Sequence, residues 1–90
     1  MKSTIWKYPL EVEDLQQIEM PVGAEVLAVE VQNGQPCLWA KVDPTKLNVV
    51  CKIATVGTGH SANHAEGLKY IGTYQLHGGE FVGHVFWGVV

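Results

Sequence analysis

The chain has 90 residues, 47% hydrophobic and 17% charged, with six lysines, no arginine and nine acidic residues for a net charge of -3. That length bounds it to one globular domain over residues 1–90, with a core small enough that completion across a homodimer or higher homo-oligomer interface is expected. Too few cations are present to neutralise a row of phosphates, which argues against a duplex nucleic-acid binder. With no apolar run of bilayer length and no secretory leader pattern after Met1, no membrane contact is expected and a cytoplasmic location is.

Residues 1–45 carry three lysines and seven acids, whereas residues 46–90 carry three lysines, two acids and all four histidines, so the second half should tolerate an anion better. Cys37 and Cys51 lack a CxxC spacing and fall in strand-like runs. They read as buried small hydrophobes in a reducing compartment.

Taken in chain order, nearly every segment shows period two rather than 3.6, the mark of an all-β chain. Thr4 to Tyr8 and Leu15 to Met20 are the first expected strands, ended by Pro9 and by the Pro21-Val22-Gly23 turn signal. Ala24 to Val42 then reads as a hairpin around Asn33-Gly34, the pair that a two-residue type I′ turn favours. Setting Gln32 opposite Gln35 pairs Val31 with Pro36, Glu30 with Cys37, Val29 with Leu38, Ala28 with Trp39 and Leu27 with Ala40. One face becomes Leu27, Val29, Val31, Leu38, Ala40 and Val42, while Glu30, Gln32, Gln35 and Lys41 share the other. Turn chemistry and apolar pattern select this register independently.

Pro44 separates that hairpin from a strand over Val49 to Val56. Residues 57–67 lack strand character and are expected to form a loop with at most one helical turn. Lys69 to Trp87 reads as a second hairpin around Gly78-Gly79, in which Leu76 faces Phe81, Thr73 faces His84, and Tyr70 faces Trp87. Its expected core face collects Tyr70, Tyr74, Leu76, Phe81, Val85 and Trp87, with Gly72 and Gly83 leaving room for rings over backbone. About seven short antiparallel strands in a small sandwich or barrel are the expected architecture.

Ile5-Trp6-Lys7-Tyr8-Pro9-Leu10, Pro36-Cys37-Leu38-Trp39-Ala40, Gly57-Thr58-Gly59-His60, Tyr70-Ile71-Gly72-Thr73-Tyr74-Gln75 and His84-Val85-Phe86 follow in this order along the chain. In order and spacing they resemble a family of small bacteriophage proteins long filed as a domain of unknown function. The resemblance runs nearly end to end. It implies a role among phage anti-defence (anti-CBASS) sponges, which bind cyclic oligonucleotide immune signals in the host bacterial cytoplasm without hydrolysing them. It assigns no residue a role.

Physical reading supplies the candidate site. Gly57-Thr58-Gly59-His60 leaves a strand with two glycines around a hydroxyl, so its backbone N–H groups could turn toward a phosphate; a tight turn is the plainer reading. Trp6, Tyr8 and Trp39 are the aromatic residues outside the second hairpin, suited to stacking on a base, to a subunit interface or to the core. Lys69, Thr73 and Gln75 are the polar side chains expected beside them. The histidines at 60, 64, 77 and 84 lack the carboxylate company and spacing of a metal set, so no metal or other cofactor is called for, and His84 is expected to hydrogen-bond Thr73. Ser61 has no nucleophile elbow and neither cysteine a placed base, so an enzyme is not expected. The contrasting expectation is a small phage protein that binds or inhibits a host protein through an exposed aromatic surface.

Overall fold

The Asn33-Gly34 turn organises the first sheet. A computed structural model describes residues 2–90, and in it β3 (Glu25–Gln32) and β4 (Gln35–Val42) pair in the register that the turn dictates, from Gln32 opposite Gln35 through Ala28 opposite Trp39. Asn33 and Gly34 both adopt positive φ, 52° and 77°, as a type I′ turn requires. β1 (Thr4–Pro9) adds to the other side of β4, giving an antiparallel sheet of order β1-β4-β3, called sheet A.

The second sheet, sheet B, has the order β2-β5-β7-β6, built from β2 (Leu15–Pro21), β5 (Asn48–Gly57), β6 (Lys69–Leu76) and β7 (Phe81–Val89). All seven expected strands are present, and the only helical pieces among the described residues are short 3-10 turns at Asn63–Ala65 and His77–Gly79. The fold is therefore all-β, two antiparallel sheets facing one another. Alternation along the strands puts Leu38, Ala40 and Val42 of sheet A against Cys51, Ile53, Tyr74 and Val85 of sheet B, all at most 3% exposed. Leu10 and Met20 complete that core. A smaller cluster of Ala54, Val56 and Ala65, with Leu68 and Phe86, lies on the other side of sheet B under residues 58–68.

Two bulges correct the expected registers. In β3 the pairing shifts between Val26 and Ala28, so Val26 rather than Leu27 faces Ala40, and Leu27 is 47% exposed instead of sharing the core face. In β6 the shift lies between Tyr70 and Gly72. Tyr70 then pairs with Phe86 on the outer face, while Ile71 packs against the core in its place. Both bulges fall on edge strands that run against each other where the two sheets meet. There Gly72 is required by close approach, since a Cβ on it would lie 3.0 Å from Val29 Cβ. Gly83 does what the sequence suggested: the rings of Tyr74 and Phe81 cross its backbone, each 3.0 Å from where a Cβ would stand.

The core is not wholly apolar. Tyr8 Oη, Thr55 Oγ1, Tyr74 Oη and Trp87 Nε1 are buried without a well-formed hydrogen bond. Burial pushes the Tyr74 phenol above its ordinary value, partly offset by the neighbouring Thr55 hydroxyl. Burial likewise raises the Tyr8 phenol, with a smaller push from Cys51, and it raises the Cys51 thiol against a lowering contribution from Trp87. Cys37 and Cys51 are free, buried and in different sheets.

Candidate functional site

The two sheets turn their outer faces in opposite directions, and this divides the residues singled out in the sequence. On sheet A, Trp39 lies on the face opposite Leu38 and Ala40, half-buried, with Ala28 beside it on β3 and Lys7 beside it on β1. Small Ala28 leaves one side of the indole open, and a shallow hollow of about 390 Å³ there is lined by Ala28, Glu30, Val31, Gln32 and Trp39. Lys7 reaches across to donate from Nζ to Gln32 Oε1 at 2.8 Å. Lys41, two residues along β4 on the same face, sits 3.9 Å from Glu25. This face offers an aromatic platform, two ammonium groups, a neutral amide and two carboxylates, Glu25 beside Lys41 and Glu30 at the hollow, on rigid strands.

Trp6 and Tyr8 do not join it. Both lie on the core side of β1, where Tyr8 packs against the core and Trp6 is left 41% exposed at the sheet edge.

Residues 57–60 form the plainer of the two expected structures. The Thr58 N–H donates to Val82 O at 3.3 Å and the His60 N–H to Gly57 O at 2.9 Å, so two of the amides expected to meet a phosphate are spent on backbone carbonyls. Gly59, at φ +86°, supplies the positive dihedral that this turn needs. The His60 ring folds back over Gly57, where a Cβ would come within 2.9 Å of Nδ1. Hollows of about 150 and 360 Å³ flank the turn, and the acids lining them, Glu13 and Asp14 in one and Glu80 in the other, oppose an anion. Residues 57–60 thus adopt the tight turn, with the Thr58 and His60 amides already engaged within the chain.

On the outer face of sheet B, four side chains form a continuous hydrogen-bonded row. Thr58 Oγ1 lies 2.7 Å from His84 Nε2, His84 Nδ1 lies 3.0 Å from Thr73 Oγ1, and Thr73 Oγ1 lies 2.6 Å from Tyr70 Oη. The expected Thr73 and His84 partnership is present, and the histidine links Thr73 to Thr58. Tyr70 meets Phe86 edge to face at 5.6 Å, which fixes the phenol end of the row. His64 is occupied separately, with Nε2 2.9 Å from Thr55 O. Gln75 stands on the same sheet near Gly79, and Lys69 begins β6, where it lines a hollow of about 290 Å³ with Tyr70, Ile71 and Trp87. Thr58 and Thr73 are therefore brought together, Trp39 is on the opposite side of the molecule, and Lys69 is apart from both.

Lys7, Lys41 and Gln32 share the Trp39 face and are not among the site residues singled out in the sequence. The first hairpin's register already put Lys41 and Gln32 on the face of Trp39. Lys7 could be placed only once β1 was known to pair with β4. Neither a curated protein nor a solved structure matches the chain. The family model for the domain of unknown function DUF7352 matches residues 1–89, and the chain belongs to that family.

Proposed function

We propose that this protein binds a small nucleotide ligand on the outer face of sheet A and holds it without turning it over. The observation that carries the reading is the Trp39 platform with Lys7 beside it: a flat ring open on one side for a base, and an ammonium within one strand spacing for a phosphate. In the form that the resemblance to small phage proteins suggests, the ligand is a cyclic di- or oligonucleotide immune signal. The protein then acts as an anti-defence sponge in the host bacterial cytoplasm. Sequestration needs no nucleophile, only affinity and slow release.

Thermal-shift and calorimetric titration against a panel of cyclic nucleotides test this, because a ligand that binds the native state raises the melting temperature by mass action. Trp39→Ala should cost one stacking contact, about 1–3 kcal/mol of binding. Thr58→Ala, on the opposite side of the molecule, should leave affinity unchanged. Nucleotide released by heat should be recovered intact, whereas a phosphodiesterase would return linear products. An absence of binding to folded wild type across the panel would overturn the proposal in favour of a host-protein partner.

A further inference from the structure

The edge of β1 stands open. Thr4, Ile5, Trp6 and Lys7 are all exposed, Ile5 at 57% and Trp6 at 41%, although Trp6 belongs to the core-facing side of the strand. Natural edge strands are usually blunted, and here β3 and β6 are: both carry bulges and they run against each other. β2 keeps its core-side Met20 fully buried. β1 has neither bulge nor cover and is blunted only by Lys7 and by Pro9 at its end.

The direction of its free backbone groups follows from one hydrogen bond. Leu10 N–H donates to Pro36 O at 2.9 Å, continuing the β1–β4 register. Hydrogen-bonded and non-hydrogen-bonded pairs alternate in an antiparallel ladder, so Tyr8, Trp6 and Thr4 also turn their N–H and C=O groups toward β4. Ile5, Lys7 and Pro9 turn theirs outward.

We infer that β1 pairs with β1 of a second copy, antiparallel about a two-fold axis at Trp6, and that this pairing completes the ligand site proposed above, on which reading the ligand part of the inference rests. The register is selected by the sequence. Centring on Trp6 sets Ile5 opposite the partner's Lys7, so outward groups meet outward groups, and overlaps Thr4 to Tyr8. Centring on Lys7 would oppose two like charges and set Pro9, which has no donor, against the partner's Ile5. Centring on Ile5 would overlap only Thr4 to Trp6 within the strands.

A six-stranded sheet results, and its outer face acquires a symmetric arrangement that one chain lacks. One cross-strand row runs Trp39, Lys7, the partner's Ile5, the partner's Lys41; the adjacent row is its two-fold mate. Lys7 and the partner's Lys7 flank the axis between two tryptophans, Trp39 lying about 16 Å from the partner's Trp39 by strand spacing and residue rise, while Lys41 and its two-fold mate stand at the outer corners, as far from the axis as the tryptophans. Glu25 offsets part of the Lys41 charge. When Lys7 Nζ exchanges Gln32 Oε1 for a ligand oxygen, the two Lys7 ammonium groups can hold two phosphates near the axis with a base directed to each side, the chemistry of a cyclic dinucleotide, a ligand with the same two-fold symmetry.

Light scattering and calorimetry with cyclic di-AMP and cyclic di-GMP separate the two parts. Wild type should have twice the mass of the 9.9 kDa chain. Ile5→Pro deletes an outward N–H while leaving the β4 ladder intact, and should halve the mass and weaken binding at least tenfold. Ile5→Thr, which keeps the N–H, should remain dimeric. If Ile5→Pro fails to fold, Trp6→Cys decides. Facing residues of a non-hydrogen-bonded pair lie about 4.5 Å apart at Cα, within disulfide reach, so Trp6→Cys should cross-link on oxidation and Thr4→Cys should not. A monomeric wild type, a dimer that survives Ile5→Pro, or an uncross-linked Trp6→Cys overturns the interface. A dimer broken by Ile5→Pro that binds neither nucleotide keeps the interface and removes the ligand reading alone.

Discussion

Gly72→Ala tests how tightly the two sheets close on each other. The added methyl would lie 3.0 Å from Val29 Cβ, 3.4 Å from Cγ2 and 3.6 Å from the Val29 backbone nitrogen. No rotamer change moves a Cβ or a backbone atom, so relief requires β3 and β6 to separate by a few tenths of an ångström. Overpacking of this kind costs about 1–3 kcal/mol. Gly72 does not have positive φ, so alanine can adopt its backbone conformation and recovers about 0.4–1 kcal/mol through the unfolded chain. The net loss should be about 1–2 kcal/mol, a fall of about 4–16 °C in melting temperature for a domain of this size. Urea unfolding followed by tryptophan fluorescence, with unchanged m-value, is the assay. Val29→Ala in the same background should give only partial relief, because it removes the 3.4 Å neighbour and leaves the 3.0 Å one. A Gly72→Ala protein as stable as wild type would refute the tight closure of β3 on β6.

Leu27→Asp should lie within about 0.5 kcal/mol of wild type because the bulge exposes the residue, whereas Leu38→Ala should lose about 2–5 kcal/mol from a fully buried position; equal damage in denaturant titrations would contradict the bulge. Thr73→Val should loosen the row from Thr58 to Tyr70 and cost about 0.5–1.5 kcal/mol, read from the midpoint of thermal unfolding. Stability should hold up to the ordinary thiol value of 9.0 and fall above it, first because the unfolded chain releases the Cys51 proton while the folded chain still holds it, and more steeply above the ordinary tyrosine value of 10.0, where the same applies to Tyr8 and Tyr74. Tyr74→Phe should flatten that alkaline decline when unfolding free energies at about pH 8 and pH 11 are compared, and an unchanged slope would remove Tyr74 as a cause.

Local rules reached as far as the strands and turns. Asn33-Gly34 specified a turn type, the turn specified a register, and the apolar residues agreed with it from Gln32 to Ala28. Beyond Ala28 the register failed because the bulge at Leu27 answers to the packing of β3 against β6, a contact between residues more than forty positions apart. Tyr70 was misplaced for the same reason: with one residue bulged, every side chain beyond it changes face. The site was less legible still. Glycines around Thr58 are compatible with an anion cradle and with an ordinary turn, and only the partners of the Thr58 and His60 amides distinguish them. The Trp39 surface depends on β1 joining β4, a pairing across about thirty residues that no local pattern announces.

The placement of the two thiols gives this small protein an internal clock. Cys37 in sheet A and Cys51 in sheet B are 2% and 1% exposed, so an alkylating reagent reaches either only when the structure around it opens. Because the sheets are joined in sequence by turns rather than by a shared ladder, the labelling rates at the two positions report separately on the opening of each sheet. Matching rates would identify the sandwich as a single cooperative unit, and a faster rate at Cys37 would mark sheet A as the layer that yields first.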